Sequence, residues 1–245
     1  MTTLNNHALA LLDPNLNGLF DSQQQGLPRG HLFNIWGFPH THKTNLATIL
    51  LAQAVKSNPQ KVTASGKRPC ILIVVSEHTV ESISELLHTH LPNDALVSEY
   101  GWNIYIKKVD VTQPVSAEQY MEIVAEAEGG GVEVVASMVD VPAFTVSADL
   151  DKAISERNAE LGIIAKETNQ VIFTTNGLPY ALREELKNGI EALIDKAPRS
   201  DQAGTHDLLT MPLYSTEDKG MLKIACMQTG KCVTLDLRLA GVTAI

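Results

Sequence analysis

The sequence predicts an α/β domain with a mainly parallel central sheet, helices on its faces and antiparallel strands at its C-terminal end. Two patterns predict it. As far as residue 176, apolar runs of strand length alternate with segments of helical periodicity, the arrangement a parallel sheet and its crossovers require. Beyond Asp201, three short strand-like runs follow one another through tight connections, as in an antiparallel meander. Between the first strand and the first long helix lies the octapeptide from Gly37 to Thr44, where the chemistry of the chain is concentrated.

Residues 1–25 are polar, with the run Gln23-Gln24-Gln25 and little periodicity beyond Leu9 to Leu12, which predicts a short N-terminal arm before a core domain over 26–245. His31 to Trp36, bounded by Gly30 and Gly37, reads as a buried strand. Asn45 to Lys56 spaces Leu46, Ile49, Leu50, Ala54 and Val55 as one helix face, with no proline before Pro59. After a polar loop, Cys70 to Val75 is an unbroken apolar strand of the kind a parallel sheet buries on both faces. It ends at Ser76-Glu77-His78. A helix from Val80 to Leu91, a strand from Trp102 to Val109 and a helix from Ala117 to Ala127 follow, the last closed by Gly129-Gly130-Gly131. Val132 to Ala136 reads as the next strand, Leu150 to Thr168 as a long helix and Val171 to Thr175 as another buried strand. The meander is expected over Leu208 to Tyr214, Met221 to Met227 and Cys232 to Leu239.

Composition narrows the function classes. With 245 residues, 44 % of them apolar, the chain can bury one sizeable core. A formal charge of −9 works against a broad basic face for DNA, and Lys61, Lys67, Arg68, Lys107 and Lys108 read as solvated surface. No apolar run is long enough to span a membrane, and the first residues, MTTLNNHALALL, lack the pattern of a signal peptide, so a soluble cytoplasmic protein is expected. Cys70, Cys226 and Cys232 form an odd set without C-x-x-C spacing and read as core thiols, and the eight histidines show no H-E-x-x-H spacing. No structural metal is expected.

The residues Gly37-Phe38-Pro39-His40-Thr41-His42-Lys43-Thr44 match the phosphate-cradling loop G-x-x-x-x-G-K-[ST] at every fixed position except one, where His42 replaces the second glycine. The spacing assigns Lys43 to the terminal phosphates of a nucleotide and Thr44 to its magnesium, with Gly37, His42 and Asn45 completing the cradle at a helix N-terminus. A side chain at position 42 must avoid the left-handed conformation or accept its strain, so an altered loop shape is expected. Two readings stand: a nucleotide loop that tolerates a bulky residue, or a relic.

The order of motifs then becomes recognisable. Gly26-Leu27-Pro28-Arg29-Gly30, continued through Ile35 to Gly37, resembles the lead into the P-loop of RecA-family recombinases. Ser76-Glu77-His78 is similar to that family's A-E-H segment, and Gln113-Pro114 with Glu118-Gln119 to its Q-P-x-x-x-E-Q element. Phage recombinases of the UvsX type also carry a bulky residue in the loop, which points to a phage or mobile-element origin. The resemblance spans residues 26–176 and is only architectural beyond 180. It implies a RecA-like P-loop NTPase core with a degenerate Walker motif, a role in DNA recombination or repair, and ATP and magnesium as cofactors. As partners it implies single-stranded DNA and further copies of the chain or other proteins.

Carried over residue by residue, the resemblance makes Lys43 a catalytic contact to phosphate and Glu77 the group that orients the attacking water. A helix-capping acid is the other reading of Glu77. Asn176 resembles in position the polar sensor that couples nucleotide state to DNA, and also fits a turn asparagine before Gly177. Departures are equally specific. The magnesium-organising aspartate at a strand end falls on Ala136, with Asp140 expected outside the strand; the adenine-stacking tyrosine falls on Ser84. Cys226 and Gln228 stand where a neighbouring protomer would send lysines. Residues 138–150 and 177–206 lack the character of the two DNA-binding loops, and the N-terminal segment is too short for the usual element that docks on the next subunit. Three functions remain open: an ATP-binding recombinase with weak or no hydrolysis, a catalytically inactive RecA-fold scaffold or partner-binding module, and a RecA-like ATPase that remodels nucleic acid without strand exchange.

Overall fold

The computed structural model describes residues 2–5, 7–20, 26–76, 78, 80–91, 100–109, 115–140, 148–213 and 220–237, with the backbone alone at residues 2 and 148–151. Strands β1 (Thr2–Thr3) and β2 (Ala8–Leu9) precede a short helix, α1 (Pro14–Leu19). Then come β3 (Leu27–Pro28), β4 (His31–Gly37), α2 (Lys43–Ser57), β5 (Lys61–Val62) and β6 (Arg68–Val75). The middle of the chain forms α3 (Val80–His90), β7 (Asn103–Lys108), α4 (Ala117–Glu128), β8 (Val132–Asp140), α5 (Ala148–Thr168) and β9 (Val171–Gly177). A 3-10 stretch (Tyr180–Asn188) and α6 (Ile190–Ile194) lead to β10 (Thr205–Pro212), β11 (Met221–Cys226) and β12 (Cys232–Asp236).

The central sheet has eight strands in the order β12-β11-β10-β4-β9-β8-β6-β7. From β10 to β7 every pairing is parallel, and β11 and β12 add antiparallel pairs at one end. This is the α/β architecture the alternation predicts. Because side chains alternate across a strand, Phe33, Ile35, Val171 and Phe173 pack with α2 on one face, while Leu32 and Ile172 pack with α4 and α5 on the other. No described helix is long and apolar enough to cross a membrane.

Three features add to or differ from the sequence-based expectation. First, β10 pairs in parallel with β4, Leu208 opposite Ile35, so the antiparallel meander joins the sheet through a parallel seam. The crossover over 178–204 sets that direction. Second, β8 does not stop at Ala136 but continues to Asp140. Ser137, which looks like a strand end, is buried within it because its hydroxyl meets that of Tyr120 at 2.8 Å, and the Tyr120 hydroxyl donates to Gln170 Oε1 at 2.7 Å. Third, the residues read as an arm lie on the core: Leu9, Leu16, Leu19 and Phe20 belong to the apolar cluster of α2 and β4, and β2 pairs with β3. Asp13 caps α1 by accepting the N–H of Asn15 at 2.8 Å.

Candidate functional site

Between β4 and α2 the octapeptide makes a tight turn whose geometry follows from two of its positions. At Gly37 a Cβ would lie 2.1 Å from Thr41 Oγ1 and 2.5 Å from Thr210 Oγ1. Those hydroxyls are 3.1 Å apart, Thr41 donates to the Phe38 carbonyl at 2.8 Å and Thr210 to the Trp36 carbonyl at 3.2 Å. The loop therefore closes on itself over a residue that has no side chain. At position 42 the chain accepts strain: His42 has φ 60° and ψ 28°, in the left-handed region where glycine is at no disadvantage. Of the two alternatives open to a side chain here, His42 accepts the strain, at a cost on the order of 1 kcal/mol.

Helix α2 begins at Lys43, and no side chain caps it. The first intrahelical bond runs from the Leu46 N–H to the His42 carbonyl at 2.9 Å, so the amides of Lys43, Thr44 and Asn45 precede the ladder. With no acidic residue in the first turn, this end of a 15-residue helix presents N–H groups and a positive dipole to whatever lies beyond it. What lies there is an open cleft of about 570 Å³, lined among others by Lys43, Thr44, Asn45, His78, Asp140 and Thr175. It sits at the carboxyl ends of the parallel strands, where open α/β sheets bind ligands. Lys43 Nζ donates to the carbonyls of Gly37 at 3.1 Å and Phe38 at 2.9 Å, folded over its own loop. Burial, and secondarily His40, hold the His42 imidazole below its usual pKa.

The carboxylate expected outside its strand is inside it. Asp140 ends β8 directly opposite Thr175 of β9, is almost fully buried, and accepts the Thr175 hydroxyl on Oδ1 at 2.6 Å. Ala136, to which the strand-end position was assigned, is mid-strand and packed in the core. The signal was present in the run Val132 to Asp140, apolar apart from Glu133 and Ser137 and closed by an acid. Thr175 was also missed as a cleft residue.

Asn176 behaves differently from the sensor it resembles. It lies within β9 opposite Trp36 rather than in a turn, and strand alternation turns it away from the cleft that Thr175 lines. Its Oδ1 accepts from Arg157 at 3.1 Å and its Nδ2 donates to Thr174 Oγ1 at 2.9 Å. Thr174 in turn donates to Asn34, and Asn34 to Asp207, which also accepts from Trp36 Nε1 and Gln228 Nε2. The result is a buried polar chain across the far face of the sheet. Burial pulls the Arg157 guanidinium down to about 10. Gln228 is thus committed within its own chain and Cys226 lies in the core. From α3, Leu86 lines the cleft, where Ser84 was aligned with a stacking tyrosine.

Glu77, Gln113 and Pro114 lie outside the described residues. Among the described residues no three of His, Cys, Asp and Glu converge as a metal site. Compared with known proteins, the chain matches no protein-family model and no curated protein. What it does must be argued from the residues of the cleft.

Proposed function

We propose that the chain is a RecA-like P-loop protein that binds magnesium-ATP and acts in DNA recombination or repair, assembling on single-stranded DNA in an ATP-dependent way with weak or no hydrolysis. The observation that carries the reading is the convergence of Lys43, Thr44 and Asp140 on one cleft at the uncapped N-terminus of α2. Lys43 would leave the Gly37 and Phe38 carbonyls for the terminal phosphates, and the amides of Lys43, Thr44 and Asn45 would donate to phosphate oxygens. The residues fit magnesium, because with a bound nucleotide that ion needs one or two carboxylates rather than a protein cage: the Thr44 hydroxyl and the Asp140 carboxylate would hold it. The ion supplies neutralisation of charge on the phosphate oxygens. Glu77 is the candidate to orient water. Weak turnover is supported by Cys226 and Gln228, both engaged within the chain and neither able to send positive charge into a neighbouring site.

The DNA side rests on the resemblance over residues 26–176. With a formal charge of −9 the contact must be local and strongly salt-dependent. Sedimentation with single-stranded DNA tests it: the complex is expected only with magnesium-ATP present, and identical profiles with and without nucleotide would overturn the ATP-dependent part. The inactive RecA-fold scaffold is the second reading, favoured by Lys43 being occupied by its own loop. In that case magnesium-ATP changes neither assembly nor heat of mixing.

A further inference from the structure

On the α2 face of the sheet two apolar rows reach the cleft, and each arrives there with a polar residue. Val171 and Phe173 of β9 lie in the core cluster beneath α2, and strand alternation puts Thr175 next in that row. Ala136 and Met138 of β8 lie in the same cluster, and Asp140 follows them. Parallel pairing sets Asp140 directly opposite Thr175, and both line the cleft. Both residues are almost fully buried, so the contact between them is made out of water. The bond from the Thr175 hydroxyl to Asp140 Oδ1, at 2.6 Å, has the short length of a hydroxyl donating to a carboxylate. Valine at position 175 would have continued the apolar row with nearly the same shape. What threonine adds is the hydroxyl, and the hydroxyl is spent on Asp140.

We propose that Thr175 is a positioning residue for magnesium at the cleft: its hydroxyl orients the Asp140 carboxylate toward the ion, so that its loss weakens binding of magnesium-ATP and leaves binding of metal-free ATP as it was. The proposal rests on the reading of the cleft as an ATP site. A carboxylate with no partner to hold it turns freely about its terminal torsion, and the groups that hold a metal-ligating side chain are worth roughly 10–100-fold in metal affinity. Metal-free nucleotide depends instead on Lys43 and on the amides at the start of α2.

The test titrates ATP by calorimetry into the unaltered protein, Thr175→Val and Thr175→Ser, once with magnesium and once with a chelator in its place. Thr175→Val is expected to lower the affinity in magnesium at least about tenfold while the metal-free affinity stays within about twofold. Thr175→Ser keeps a hydroxyl donor and should recover most of the loss. Beside Asp140→Asn, Thr175→Val should cost no more than about twofold further, because the charge it orients is already gone. Thr175→Ala removes the same hydroxyl and takes the place of valine if that variant does not fold. If neither folds while serine does, the hydroxyl serves the fold and the proposal is overturned. Unchanged affinity in Thr175→Val, equal losses with and without magnesium, a serine variant no better than valine, or a full loss retained beside Asp140→Asn would overturn it as well. If the unaltered protein binds no ATP, the reading of the cleft has failed and the proposal falls with it, an outcome distinct from the others.

Discussion

Replacing Gly37 by alanine is expected to damage both the fold and the cleft, while the same replacement at Gly177, its partner across the β4–β9 pairing, does little. The two glycines are paired in register, yet a Cβ at Gly177 would meet nothing within 4 Å whereas at Gly37 it would meet two hydroxyl oxygens at 2.1 and 2.5 Å. Neither oxygen is the free end of a flexible chain; both are tied into the bonds from Thr41 to Phe38 and from Thr210 to Trp36. Overpacking costs about 1–3 kcal/mol and each of the two displaced hydrogen bonds about 1 kcal/mol, so Gly37→Ala should lose roughly 3–5 kcal/mol. For a chain of this size that is a fall in Tm of roughly 6–20 °C by circular dichroism, against no more than a few degrees for Gly177→Ala. Equal Tm values for the two variants would refute the argument that the loop closes over an absent side chain.

Asp140→Asn keeps an oxygen to accept from Thr175 but removes the charge, so ATP affinity in magnesium should fall about tenfold or more while metal-free ATP binds nearly as before; equal losses in both conditions would exclude a metal role. His42→Gly removes left-handed strain and should raise stability by up to about 1 kcal/mol in urea unfolding, and a loss of stability would show that the imidazole makes a contact worth more than its strain. Burial holds His31 below its usual pKa, and burial and then Lys56 do the same for His90. Both therefore take up a proton less readily in the folded chain than in the unfolded one, and stability present above a pH of about 6.5 should decline as pH falls below it. A flat profile between pH 7.5 and 5.5 would contradict this.

The parallel core was legible because strands buried on both faces are written as unbroken apolar runs, such as Ile71 to Val75. The placement of the octapeptide between a strand and a helix was legible because both flanks carry local patterns. What depended on distant partners was not. Ser137 reads as an interruption until Tyr120 is seen to satisfy its hydroxyl, and without that partner the strand loses Met138, Val139 and the acid that closes it. The parallel seam between β4 and β10 joins residues about 170 positions apart, which no local pattern records. Residues 2–20 show no periodicity because their elements are too short to have one, yet Leu9 and Phe20 are fully buried. Asn176 was placed at the right strand end, but one step along a strand reverses the face, and the cleft belongs to Thr175.

The central claim is that the octapeptide holds nucleotide through Lys43, and calorimetric titration of magnesium-ATP into the unaltered chain and into Lys43→Ala tests it most directly. Micromolar binding by the first, abolished or weakened at least a hundredfold in the second, is what the geometry of the cleft predicts. Equal affinity in the two proteins, or no heat from either, would contradict it.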